Sequence, residues 1–256
     1  MALVSNLTGR VRHTDSDGSY TDADTIVMNQ EIPLSIFEPP GDFNHVKWIA
    51  GRDWNGLNAG IFFLRVDTWS LNLLNRVMTY KHYHPTEDYT FEEQSILARL
   101  TEQNDEFKTQ AIYMPRMWFN AYVSYKEEHP GLFMAHFPDA GHKWHMYKWL
   151  RIAEVRNGLN RTSIDHMPLP YIPNLQEISN FWAARRRADE VLKQLEGIAV
   201  EQATIGVNHE NIRLWVARLR DAQNELSMAV ERKTDDYENL AALTEQVEKV
   251  MIGAWT

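Results

Sequence analysis

Residues 53–69, Asp53-Trp54-Asn55-Gly56-Leu57-Asn58-Ala59-Gly60-Ile61-Phe62-Phe63-Leu64-Arg65-Val66-Asp67-Thr68-Trp69, decide the fold class of this chain. Asn55-Gly56 is a strong turn signal. The run from Leu57 to Val66 is of strand length, and Ile61-Phe62-Phe63-Leu64 makes it apolar enough to be buried on both faces. Asp67 then stands where a helix N-cap is wanted, because its carboxylate can accept from the free N–H groups of a first turn. A helix is predicted from Thr68 to about Tyr83, with Trp69, Leu73, Leu74 and Val77 on one face. A buried strand running into a capped amphipathic helix is a unit of α/β architecture.

Further along, a second helix is predicted from Phe91 to about Glu102, and Thr90 with Glu93 three residues later forms a capping-box pattern. Ala111-Ile112-Tyr113-Met114 and Leu132-Phe133-Met134-Ala135 read as short strands. Before the central stretch, Thr25-Ile26-Val27-Met28 is a strand-like run entered from an acidic loop, and the polar residues 1–20 read as irregular. No proline follows the stretch Met167-Pro168-Leu169-Pro170-Tyr171-Ile172-Pro173. From Leu175 apolar residues recur at helical spacing (Ile178, Phe181, Trp182, Ala188, Val191, Leu195), with a break near Gly206. This predicts a proline-rich linker over 167–174 and a tail over 175–256 of two or three amphipathic helices folded back as a hairpin.

Composition narrows the function. The 256 residues carry a net charge of -9. Their one short basic cluster, Arg185-Arg186-Arg187, lies in a helical pattern with acids nearby and reads as a solvated face, which argues against nucleic acid as a partner. The chain has no cysteine, so disulfides and thiolate metal sites are excluded. No run approaches the ~20 apolar residues of a membrane span, and residues 1–20 hold no signal-peptide core.

Four constellations bear on chemistry. Asp22-Ala23-Asp24 sets two carboxylates at the edge of a strand; it reads either as an acidic loop or as hard oxygen ligands for Mg2+ or Mn2+ shared with substrate phosphates. Asp15-Ser16-Asp17 has the same spacing but leads into no strand and is set aside. Asp53 to Gly60 reads either as a turn before a strand or as a sugar-contacting segment, since Asn58 offers a donor and an acceptor and Gly60 permits close approach. Glu93 in Phe91-Glu92-Glu93-Gln94-Ser95 reads as a helix cap or as a group facing a substrate. His136, at the end of an apolar strand, reads as structural or as an imidazole for a metal held by the two aspartates; Lys143 follows as surface charge or as a cation for a diphosphate.

In order, these segments resemble glycosyltransferase family 34, which includes fungal galactosyl- and mannosyltransferases of the Golgi and plant xyloglucan xylosyltransferases. The resemblance runs from Asp22-Ala23-Asp24-Thr25-Ile26-Val27-Met28-Asn29, through Ile32-Pro33-Leu34 and Phe37 with Pro39-Pro40, to Asn55-Gly56-Leu57-Asn58-Ala59-Gly60. It continues in Trp69-Ser70, Glu93-Gln94-Ser95, Trp118-Phe119-Asn120-Ala121-Tyr122 and His136-Phe137, covering about residues 21–150. It implies an α/β, GT-A-like nucleotide-sugar transferase fold over 21–166, incomplete at the N-terminus because few residues precede Asp22. It further implies a retaining hexosyltransferase with a Mn2+ cofactor, a UDP-galactose or GDP-mannose donor and a glycan acceptor. On this resemblance Asp22, Asp24 and His136 are the metal ligands. Asn58, Gly60, Asp53 and Lys143 belong to substrate binding, and Glu93 and Gln94 lie near the reacting sugar. A type II Golgi membrane location is implied by the family, with no anchor visible in this chain. The alternative expectation is an inactive truncated remnant acting as a scaffold, with self-association through the helical tail.

Overall fold

The computed structural model describes residues 17–122, 133–158, 175–204 and 210–252. They belong to two compact units, 1–173 and 174–256. The first is mixed α/β. Its strands are β1 (Asp17–Thr21), β2 (Thr25–Val27), β3 (Trp48–Asp53), β4 (Gly56–Arg65), β5 (Ala111–Tyr113), β6 (Ala121–Tyr122) and β7 (Met134–His136). Its helices are α1 (Thr68–Tyr83), α2 (Glu92–Gln103), α3 (Ala140–Lys143) and α4 (Met146–Arg156).

Two small sheets organise this unit. One has the order β1-β4-β3-β5, the other β2-β7-β6. Strand β4 is flanked on both sides by antiparallel partners, β1 and β3, while β5 joins β3 in parallel. This explains the unbroken apolar run: Leu57 to Phe62 are all buried. Gly56 closes the β3–β4 hairpin at φ +101, a left-handed conformation a side chain would strain. Asn55 donates its N–H to Asp53 Oδ1 at 2.7 Å in the same turn.

Strand β1 corrects the expectation that residues up to 20 are irregular. Asp17–Thr21 pairs residue for residue with Arg65 back to Ile61. The polar sequence Asp-Gly-Ser-Tyr has little strand character of its own. Pairing with β4, and the Tyr20 ring stacked on Phe62 at 4.7 Å, supply what local preference lacks.

Helix α1 begins where the sequence placed it, with the Asp67 carboxylate accepting from Ser70 N–H at 3.1 Å. Leu73 is buried and Trp69 and Val77 pack on the same core, a stripe at spacing four. Leu74, expected on that face, is 39% exposed, because it lies one step round the helix. The capping box of α2 does not form. The helix starts at Glu92, the Thr90 hydroxyl donates to Asp88, and Phe91 N–H is taken by Ser95 Oγ at 3.0 Å. Beneath α1 and α2 lies a core of Trp48, Phe62, Leu97, Leu100, Phe107 and Tyr113, with Trp48 stacked on Phe62 at 4.0 Å. Each such side chain contributes about 1.5–3 kcal/mol by leaving water. A second cluster of Ile26, Met28, Ala135, Phe137, Trp149 and Ile152 joins β2 and β7 to α4.

Among the described residues the second unit contains three helices, α5 (Leu175–Thr204), α6 (Glu210–Glu231) and α7 (Tyr237–Ile252), the upper of the two numbers expected. Ala188, Val191, Leu195, Leu226, Leu240 and Val247 form their common core. Arg185 departs from the solvated reading of the basic cluster. It is buried, donates to Thr234 O at 2.5 Å and lies over the Phe181 ring at 4.7 Å. Arg187 is exposed and pairs with Glu248. The proline-rich stretch and the break near Gly206 lie outside the described residues, as does Asp15-Ser16. Among the described residues, no helix is long and apolar enough to cross a membrane.

Candidate functional site

The Asp22-Ala23-Asp24 turn is where the chain leaves one sheet for the other. Strand β1 ends with Thr21 opposite Ile61, and β2 opens with Thr25 opposite His136. Asp22 N–H donates to Gly60 O at 2.8 Å on one side, and Phe137 N–H donates to Asp24 O at 2.9 Å on the other. The Thr25 hydroxyl closes the turn on Asp22 O at 2.8 Å. The β2–β7 register therefore brings His136 beside the turn from more than a hundred residues away. A slip of one residue would turn its imidazole to the opposite face of the sheet.

A carboxylate oxygen of Asp22, one of Asp24 and a ring nitrogen of His136 all lie within 4.8 Å of one another. His136 Nε2 is 3.5 Å from Asp24 Oδ1, and Lys143 Nζ is 2.9 Å from Asp24 Oδ2. Tyr20 donates its hydroxyl to Asp22 Oδ1 at 3.0 Å, which orients that carboxylate. The turn, Lys143 and Met146 line a cleft of about 350 Å3.

Burial dominates the electrostatics. It pushes the Asp22 carboxyl above its ordinary range; the hydrogen bond from Tyr20 opposes this, and Asp24 and Glu93 add to it. Burial and the bond to Asp22 carry the Tyr20 phenol up to about 12, so it stays a donor. Burial pushes the His136 imidazole down from 6.5 to about 4, against the pull of Asp24, so at neutral pH the ring is uncharged and has a free lone pair. Two hard oxygen donors and a neutral imidazole fit a small divalent cation, which would also offset the carboxylate charge that raises Asp22.

Behind the imidazole runs a chain of buried polar groups. His136 Nδ1 is 2.9 Å from Asn120 Oδ1, and Asn120 Nδ2 donates to Asn58 Oδ1 at 2.7 Å. Asn58 Nδ2 donates to Tyr122 OH at 2.6 Å and to Asp53 Oδ2 at 3.3 Å, and the Tyr122 hydroxyl donates to the same Asp53 oxygen. Gly60 N–H donates to Asn58 Oδ1 at 3.0 Å. Both hydrogens and both lone pairs of Asn58 are thus engaged within the protein, leaving none for a sugar in this arrangement. Gly60 serves the imidazole directly: a Cβ there would sit 2.1 Å from His136 Cε1.

The remaining expected residues divide. Lys143 is in the cleft, on Asp24. Glu93 is exposed, and its charge reaches both Asp22 and Tyr20. Gln94 accepts from Ala59 N–H at 2.9 Å, tying the start of α2 to β4. Sequence alone does not single out Tyr20, Asn120 or Tyr122 as site residues. Tyr20 lay in a stretch that looked irregular, and the only pointer to the other two was their place in the Trp-Phe-Asn-Ala-Tyr segment.

The family model described as the galactosyl transferase GMA12/MNN10 family matches residues 41–152. That segment takes in Asp53, Asn58, Gly60, Glu93, Asn120, His136 and Lys143, and it begins after Asp22 and Asp24. No curated protein and no solved structure matches the chain significantly. Residues 41–152, less than half of the chain, are thus similar to the galactosyl transferase GMA12/MNN10 family, glycosyltransferase family 34, and this supports reading the chain as an enzyme that transfers glycosyl groups.

Proposed function

We propose that this chain is a retaining hexosyltransferase of GT-A type, using Mn2+, a UDP-galactose or GDP-mannose donor and a glycan acceptor. One observation carries the reading: Asp22 and Asp24, which line a cleft, and the buried His136 offer ligand atoms within 4.8 Å of one another. The bound cation would offset the charge that builds on the departing diphosphate. Asp22 and Asp24 would hold it through oxygen, and His136 through Nε2. Lys143 stands ready to turn from Asp24 to the diphosphate. Glu93, exposed and within electrostatic reach of Asp22, would orient a sugar hydroxyl. Gln94 acts through the backbone it holds. Gly60 gives the imidazole its space, and Asn58 and Asp53 support it from behind.

With retention, the acceptor hydroxyl attacks from the face the diphosphate leaves, through a loose transition state that needs no strong enzymic base. Trp54, 75% exposed at the β3–β4 turn and edge-on to Tyr122 at 5.6 Å, offers an indole face to an acceptor sugar. Residues 21–166 form the catalytic portion in this reading, with 167–174 as a linker to the helical tail. The type II Golgi membrane location comes with the family. The test is transfer from radiolabelled UDP-galactose or GDP-mannose to an oligomannose acceptor with Mn2+ present. Asp24→Ala, with its fold verified by circular dichroism, should lose transfer; full activity in that variant would discard the metal role.

A further inference from the structure

We infer that the backbone N–H of Gly60, relayed by Asn58 and Asn120, sets the tautomer of His136, so that Nδ1 carries the proton and Nε2 presents its lone pair to Asp24. Asn120 and Asn58 are then positioning residues for the proposed metal ligand. The inference rests on the proposed site for its consequence, but its chemistry can be followed atom by atom without a metal.

A backbone N–H can only donate. The Asn58 atom 3.0 Å from Gly60 N is therefore the amide oxygen. The opposite end agrees, since an ionised carboxylate can only accept and the Asn58 atom 3.3 Å from Asp53 Oδ2 must be the nitrogen. With the Asn58 oxygen fixed, the Asn120 atom 2.7 Å away must be a donor, its Nδ2. The other Asn120 atom, 2.9 Å from His136 Nδ1, is then an oxygen, and Nδ1 must carry hydrogen to meet it. A neutral imidazole has one N–H, so Nε2 is left with its lone pair.

The chain runs in one direction from Nδ1–H to the Asp53 carboxylate, through Asn120, Asn58 and the Tyr122 hydroxyl. Donors aligned head to tail polarise one another and strengthen each bond. Flipping either amide would set donor against donor at Gly60 or acceptor against acceptor along the chain. His136, Asn120 and Asn58 are each at most 5% exposed, so water cannot repair such a mismatch cheaply. At the near end, Nε2 faces Asp24 Oδ1 at 3.5 Å, a lone pair against an acceptor. That pairing is unfavourable unless a cation lies between them. Metal-bound histidines are commonly held in this way, with the distal N–H donated to a protein acceptor.

The experiment is a long-range proton–nitrogen correlation spectrum of the 15N-labelled full chain in EDTA at neutral pH. The His136 signals are assigned by their loss in His136→Gln. The expected pattern is a protonated Nδ1 and an unprotonated Nε2; a protonated Nε2 in the wild type would overturn the inference. Asn120→Leu should populate both tautomers and weaken Mn2+ binding by about 10–100-fold. Asn120→Asp keeps an acceptor for Nδ1–H but sets a carboxylate oxygen against Asn58 Oδ1, so it should keep the proton on Nδ1 while lowering the urea midpoint. An unchanged spectrum in folded Asn120→Leu would also overturn the role of Asn120. Mn2+ titration of the wild type separates the two readings: the expected tautomer without Mn2+ binding would count against the transferase site and leave the relay standing.

Discussion

Gly60→Ala tests whether the imidazole is placed by packing. Gly60 is not in the left-handed region, so alanine meets no backbone strain there. On unfolded-chain entropy alone the change should stabilise by about 0.4–1 kcal/mol. The added methyl decides the sign. It would sit 2.1 Å from His136 Cε1, so the ring must retreat by about 1.3 Å to reach ordinary contact at 3.4 Å. It cannot do so and keep its 2.9 Å bond to Asn120, and the ring is buried on all sides. Overpacking of this kind costs about 1–3 kcal/mol, and losing the Asn120 bond costs about 1 kcal/mol more. The net expectation is a loss of about 1–3 kcal/mol from the α/β unit, read by urea titration. If the proposed site holds Mn2+, its affinity, read from the electron paramagnetic resonance of the free ion, should fall at least about tenfold because the proposed ligand His136 is displaced. A Gly60→Ala protein with wild-type midpoint and wild-type Mn2+ binding would refute the placement of His136 against β4.

Two further outcomes follow from the same geometry. In metal-free protein, burial holds the His136 pKa at about 4 against 6.5 in the unfolded chain, so the unfolded state binds the extra proton first. Stability is therefore full above pH 6.5 and is lost as pH falls towards 4, by about 3 kcal/mol for this group. Urea midpoints across that window should fall more steeply in wild type than in His136→Gln, and equal slopes would rule out the burial account. Trp54→Ala should raise the acceptor KM by about 2- to 12-fold, the equivalent of 0.5–1.5 kcal/mol of stacking. The donor KM should stay within about twofold, and an unchanged acceptor KM would remove Trp54 from the acceptor side.

Tertiary structure decided what local sequence could not. Tyr20 lies in a stretch that looks irregular, and only its pairing with Phe62 of β4 makes it a strand residue whose hydroxyl reaches Asp22. Thr90 and Glu93 fit a capping box in sequence, yet Ser95 takes the N–H of Phe91, because short polar side chains compete for the same free donors. Asn58 looked suited to sugar hydroxyls by its chemistry. It proves to be engaged on all sides, which depends on Asn120 and Tyr122, more than sixty residues away.

Sequence alone was enough to indicate the α/β class, the capped helix after Asp67, the resemblance to glycosyltransferase family 34 and the candidate ligands Asp22, Asp24 and His136. Those features are local: an apolar run of strand length, a carboxylate at a helix start, an ordered series of short motifs. Only the tertiary structure decided that the two aspartates and the imidazole meet, that Gly60 is empty space for a ring, and which polar groups stand behind it. Those depend on the β1–β4 and β2–β7 registers, and registers are set by the packing of whole sheets rather than by any one segment.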